Sequence, residues 1–413
     1  MDNWKKVFIV IWTGQLFSTL SSAVVGYAVV FWLSVKTGSA EVLALSTMAS
    51  LMPQLVLGFF TGVLIDRWDR KFIMIAADLF IAGCSIILGI LFFIGKIEVG
   101  YIYILLALRS VGAAFHVPAM QASIPLLAPE SQLMRIAGVN QVIQSISTIA
   151  GPALAAIFIT VLNMTYVLLF DVVGAAIACI TLAFVIIPNP PKENNAQKPD
   201  MFREMKEGLR EIYGNRGLLW MFISMIIMMF FLMPIAALFP LMTLNHFSGN
   251  TYMMSVVEVA WGIGMLIGGL IMGMPRFKIN KVVLINFMYL IIGITFALSG
   301  ILPPTAFWIF VTLTFIAGIS GAMQHGSFTV VLQTTVAPAA LGRVFSVFAS
   351  VTMLPSMIGL LQTGLIADKI GIVNAFIICG TAIGLTGIIS FSVPSIREMI
   401  KKQSIVNANG IEL

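Results

Sequence analysis

The sequence predicts an all-α polytopic membrane protein with twelve transmembrane helices in two pseudo-symmetric six-helix bundles. Three observations carry this. Apolar residues make up 59% of the 413-residue chain and charged residues only 10%, whereas soluble domains hold about 45 to 50% apolar residues. The chain divides into apolar runs near or above the roughly 20 residues that cross a bilayer as a helix. The second half also repeats features of the first after 208 or 209 residues: "GAAFH" at 112 to 116 and "GAMQH" at 321 to 325, Pro129 and Pro338, Arg135 and Arg343.

The expected spans are 7–33, 41–65, 72–95, 99–127, 134–161 and 164–187, then 217–245, 251–274, 281–301, 304–335, 341–367 and 372–394. Barrel strands would be about ten residues long and alternating, and a helix satisfies its own backbone in lipid. Span 1 is long and has no small-residue cleavage site behind it, so it reads as a retained helix. Spans 2 and 3 are joined by the charged stretch "GVLIDRWDRK" at 62 to 71. Span 3 carries Asp78, span 4 Arg109 and His116, span 5 a face of small residues with a proline, and span 6 Asp171. Residues 188–216 begin "PNPPKENNAQKPD" and continue "MFREMKEGLREIYGNRG", a flexible piece followed by an amphipathic helix on the inner leaflet. Span 7 is rich in Met and aromatic residues, span 8 carries Glu258 and span 10 carries His325. The domains expected are an N-terminal bundle 1–187, a linker 188–216, a C-terminal bundle 217–395 and a tail 396–413.

Basic residues set the orientation. With the N-terminus inside, nineteen of the 23 Lys and Arg fall in inner loops and tails. Lys36, Lys96 and Lys369 fall outside, and Arg109 lies within a span. This bias predicts that both termini are cytoplasmic and accounts for the net charge of +6 without a nucleic-acid partner. Cys84, Cys179 and Cys379 lie inside spans without ligand spacing, so neither a disulfide nor a metal site is expected. No phosphate-binding glycine loop with Lys and Ser or Thr is present, which argues against ATP as the energy source. An enzyme is not expected, and no cofactor is implied beyond an ion gradient.

The pattern Gly62-x-Leu64-x-Asp66-Arg67-x-x-Arg70-Lys71 resembles the loop signature of the major facilitator superfamily. Gly138, Ser147, Gly151 and Pro152, followed by Ala155 and Ala156, resemble the span 5 signature of its antiporters. The stretches "WTGQLFSTLSSAVVGYAVVFWLSVKTGSA", "RSVGAAFHVPAMQASIPLLAPESQL", "SVVEVAWGIGMLIGG" and "LGRVFS" resemble the bacterial drug exporters that include the macrolide efflux proteins. The resemblance implies the major facilitator fold and a multi-pass, monomeric protein of the bacterial cytoplasmic membrane. It implies proton-coupled efflux of hydrophobic or cationic drugs by alternating access. Export of siderophores or other amphiphiles, and transport of a lipid or metabolite, are the alternatives. In the family, the counterpart of Asp66 engages the end of a neighbouring helix to close the cytoplasmic side. Asp69 stands in place of the usual glycine and is expected to keep a left-handed turn.

Ionisable residues within spans are costly and mark function. Glu258, Asp171 and Asp78 are the carboxylates expected to couple to protons, since burial among apolar groups favours the neutral form of an acid. Arg109 resembles the span 4 arginine of proton antiporters and is expected to act on a neighbouring carboxylate. His116 and His325 sit at equivalent repeat positions and are candidates for the central cavity. Trp12, Gln15 and Tyr27 share one face of span 1, with Phe17 off that face. With Trp220, Met228 and Phe231 of span 7 they are candidate substrate contacts, because Met and aromatic surfaces repack around bulky ligands.

Overall fold

The computed structural model describes residues 3–65, 68–127, 133–185, 187, 201–272, 279–336 and 338–408. Its helices are α1 (Asn3–Thr37), α2 (Ala40–Ile65), α3 (Arg70–Phe93), α4 (Val99–Leu127), α5 (Leu133–Val161), α6 (Met164–Ala183), α7 (Met201–Gly214), α8 (Arg216–Leu241), α9 (Thr251–Met272), α10 (Lys281–Ile301), α11 (Phe307–Thr335), α12 (Pro338–Ile370), α13 (Ile372–Ser392) and α14 (Pro394–Ala408). A π-helical turn, Met242–His246, extends α8. Among the described residues, eleven helices are long and apolar enough to cross a membrane. The 33-residue α12 occupies the position of the remaining expected span.

The chain forms two units. The first holds Met1–Asn195 with Asn250–Val259, and the second holds Ala196–Gly249 with Ala260–Leu413. In the first unit α1 packs on α5 and α6, α2 on α4, and α3 on both α4 and α6. In the second, α8 packs on α12 and α13, and α10 on both α11 and α13. Four of the five pairings of the first unit therefore recur in the second, as a duplicated bundle requires.

In the second unit α10 and α13 approach backbone to backbone. A Cβ on Gly293 would meet the Gly384 nitrogen at 2.2 Å, and one on Gly380 would meet the Ala297 nitrogen at 2.4 Å. Without an apolar driving force in lipid, such backbone contact through small residues holds helices together by dispersion.

Helix ends in the first unit are finished by the charged stretch after α2. Asp69 is the N-cap of α3, with φ −64° and ψ 116°, and its Oδ1 accepts from the Phe72 N–H at 2.8 Å. This corrects the expectation of a left-handed turn: a capping residue takes an extended conformation so that its side chain can reach the orphan N–H groups of the first turn. Arg70 is buried and its Nη1 donates to the Ala122 carbonyl, 2.6 Å away near the end of α4. Lys71 Nζ donates to the Ala183 and Val185 carbonyls at the end of α6, at 3.0 and 2.8 Å. Cations at helix C-termini satisfy unpaired carbonyls and meet the negative end of the dipole. At its other end α3 stops in a Schellman turn, Lys96 N–H to Leu91 O and Gly95 N–H to Phe92 O, with Gly95 at φ +67°. Asp66 and Arg67 lie outside the described residues. Gly62 and Gly138 fall within α2 and α5, and what surrounds them is likewise outside.

Candidate functional site

Four of the in-span ionisable residues come together inside the first unit, as two pairs. Arg109 of α4 forms an ion pair with Asp171 of α6. Asp171 is only 1% exposed, and both its oxygens are occupied. Oδ2 takes the Arg109 guanidinium and the Ser85 hydroxyl, the latter at 2.6 Å. Oδ1 accepts from Ser22 at 2.7 Å, with Ser21 Oγ 3.5 Å away. Arg109 also donates to Ser85. The partner of Arg109, which spacing along one helix could not identify, is therefore an acid 62 residues away.

The second pair is Asp78 of α3 and His116 of α4, with Oδ1 and Nε2 3.5 Å apart. Asp78 is 3% and His116 9% exposed. Ser18 Oγ donates to Asp78 Oδ1 at 3.3 Å. Among the described residues neither Asp78 Oδ2 nor His116 Nε2 has a hydrogen-bond partner. Ser18, Ser21 and Ser22 lie at helical spacing on α1, so one turn of that helix touches both pairs. The run "STLSS" carried this signal in the sequence.

The second unit holds different chemistry at the same helical positions. Asp78 is the ninth residue of α3 and His116 the eighteenth of α4. Their counterparts by count are Tyr289 in α10 and Gln324 in α11. These two are hydrogen-bonded, Gln324 Nε2 to Tyr289 Oη at 3.3 Å. Counted from the helix starts His116 meets Gln324, whereas the 209-residue sequence repeat pairs it with the next residue, His325. Arg109 and Asp171 correspond in the same way to Ala317 and Cys379, and Ser85 to Phe296. Phe296 belongs to an aromatic group in which Phe239 has its ring centroid 5.9 Å from Phe296, 6.2 Å from Phe310 and 6.1 Å from Phe376. One unit is polar where the other is built of rings.

The remaining candidates are spread out. Trp12 is buried, stacked on Phe8 at 4.0 Å, and its Nε1 donates to Asn140 Oδ1 of α5 at 2.7 Å. Gln15 is buried one turn on, with no partner for its Nε2 among the described residues. Phe17 is 44% exposed. Tyr27 faces α5, where a Cβ on Gly151 would meet the Tyr27 ring at 3.3 Å. In α5, Pro152 follows within the helix and Ser147 is buried. Glu258, in the part of α9 that belongs to the first unit, is half-buried. In the second unit Trp220 is 41% exposed. It lines a groove with Arg216, Ile223, Ile389 and Ser395. Met228 is buried, and Phe231 lies edge-on to Phe230 at 4.9 Å. His325 is exposed, with its ring 5.8 Å from that of Phe348. Among the described residues no cluster of His, Cys, Asp and Glu could hold a metal ion.

Comparison with known proteins agrees with this architecture. Residues 11–359 match the Major Facilitator Superfamily. The chain is 40% identical over 398 residues to macrolide efflux protein A of Streptococcus pyogenes, covering 96% of this chain and 98% of that protein. It is 41% identical over 323 residues to macrolide efflux protein A of Enterococcus faecalis, covering 78% of this chain and 100% of that one. Among solved structures, a bacterial homolog of the human lysosomal transporter Spinster, inward-facing and unoccupied, superposes with a TM-score of 0.68 at 12% identity. That superposition covers 98% of this chain and 99% of the other, and at this identity it speaks to the fold.

Proposed function

We propose that this chain, which belongs to the Major Facilitator Superfamily, exports hydrophobic, cationic drugs of the macrolide class across the bacterial cytoplasmic membrane. The observation that carries this is the 40% identity to a macrolide efflux protein over 96% of the chain, since a relation that runs end to end takes in both bundles. The chain acts as a transporter and not as an enzyme. Both termini lie in the cytoplasm, as the bias of Lys and Arg along the sequence supports.

The mechanism is alternating access driven by inward proton flow. Drug enters from the cytoplasm or inner leaflet, the bundles exchange which side is open, and a proton taken up outside favours the return. A proton drives this only through a difference in its affinity for the two states. Glu258 is the acid assigned to the cargo's cation or to a proton: it is a half-buried carboxylate within a span, in the same unit as the Tyr27 ring, and an acid near an aromatic face suits an amine. Asp171, Asp78 and Arg109 are the deeper charges of the same unit.

Everted membrane vesicles test the reading. Acidifying their interior is expected to drive accumulation of a labelled macrolide by the wild type, and a protonophore to abolish it. Absence of gradient-driven uptake would remove proton coupling. Uptake of siderophores or other amphiphiles in place of macrolides would move the substrate. Glu258→Gln is expected to weaken macrolide binding on the order of tenfold, ~1.4 kcal/mol, measured as Kd on the purified protein; an unchanged Kd would take Glu258 out of the drug site.

A further inference from the structure

Asp171 on α6 and Asp78 on α3 are buried acids that both meet serines of α1, yet they are finished differently. Asp171 has its acceptor positions taken by an arginine and three serines, and an arginine does not give up its charge. Among the described residues Asp78 accepts one serine hydroxyl, and neither its Oδ2 nor His116 Nε2, which lies 3.5 Å from its Oδ1, has a hydrogen-bond partner. Buried polar atoms without partners are expensive and call for an explanation.

Packing does not supply one. The second unit meets the same helix crossing with Tyr289 and Gln324, hydrogen-bonded and uncharged. An acid and an imidazole are therefore not what this crossing needs to hold. A carboxylate oxygen and an imidazole nitrogen facing one another are, however, what a shared proton needs.

We propose that the Asp78–His116 pair is the proton-binding site of the transporter, an inference that rests on the proton-coupled reading above. The step moves one proton and alters no other bond. The pair passes from net −1, a carboxylate and a neutral imidazole, to zero when one proton is loaded outside, and back to −1 when the proton leaves inside. The titratable group set near the pair from α6 is Cys179; Arg109 of α4 and Asp171 of α6 form their own pair, with Cys84 of α3 near them. The helix α1 presents serines to both pairs.

Those serines give the proton a mechanical reach. Ser18 is held by Asp78, and Ser22 four residues on by Asp171. Loading a proton removes the anion that Ser18 donates to, which loosens α1 from α3, while the Asp171 contact stays. The same helix carries Trp12, Gln15 and Tyr27, so proton occupancy biases the helix assigned to meet the drug. A local change of charge at a two-state element is the general form of such a switch.

Purified full-length protein in proteoliposomes tests this with two readouts: macrolide accumulation under an imposed pH gradient, and macrolide exchange with no gradient. Wild type is measured first, and if it ignores the gradient the proton-coupled reading fails before any variant is considered. Given a responding wild type, Asp78→Asn is expected to lose gradient-driven accumulation at least about tenfold more than it loses exchange. His116→Gln, which installs the side chain the second unit carries at this position, is expected to move the pH midpoint of accumulation. Asp78→Asn accumulating as wild type does, or His116→Gln exchanging drug with an unmoved midpoint, would overturn the proposal. Should Asp78→Asn fail to fold, the His116→Gln midpoint decides alone.

Discussion

Arg109→Ala is expected to leave little folded protein. The substitution strands Asp171, which is almost wholly buried, without its counter-charge. Removing one partner of a buried pair costs about 3 to 5 kcal/mol because the remaining charge is uncompensated. Asp171 also joins three helices, since it accepts from α1 and α3 and pairs with α4. Thermal unfolding in detergent is the measurement, and a loss of about 10 °C is the expected scale. The double change Arg109→Leu with Asp171→Leu is expected to recover most of it, because the second unit holds Ala317 and Cys379 at these positions within an apolar interior. A single variant as stable as wild type would mean that the pair does not hold the unit together.

Gly293→Ala is expected to be comparably severe, and Gly384→Ala nearly silent, although the two glycines face each other. A methyl on Gly293 would sit 2.2 Å from a backbone nitrogen, with no flexible side chain to give way. One on Gly384 finds its nearest neighbour at 3.7 Å, an ordinary contact. Forcing α10 from α13 costs about 1 to 3 kcal/mol or more, by the usual scale of overpacking. The yield of monodisperse protein from membranes separates the two. Equal behaviour would show that the seam closes less tightly than this.

Much of the fold was legible because it depends on composition along the chain. The apolar runs, the amphipathic α7 and the repeat offsets are all one-dimensional signals, and the helices fall where those signals put them. The site was legible only in its membership. Asp78, Arg109, His116 and Asp171 stood out as charges inside apolar spans. Which acid meets which base depends on how three helices cross, and nothing in the spacing along any one of them records that. Asp69 was misread for another reason: comparison with a family glycine suggested a left-handed turn, while an acid just before a helix start is itself a capping signal. Tyr289 and Gln324 escaped notice because neither is charged. Only a count from the two helix starts reveals them as the neutral image of Asp78 and His116.

The uneven distribution of charge has an electrical consequence. A unit charge crossing the membrane potential gains or loses about 2.3 kcal/mol per 100 mV, so a voltage can do work only on helices that carry charge through the field. The helices α10, α11 and α13 carry no acid or arginine, and their one lysine, Lys281, stands at a helix start. Their counterparts α3, α4 and α6 hold Asp78, Arg109 and Asp171 deep inside. Among these six helices, charge that the field can act on is confined to α3, α4 and α6, so a voltage that works through this set works through the first unit.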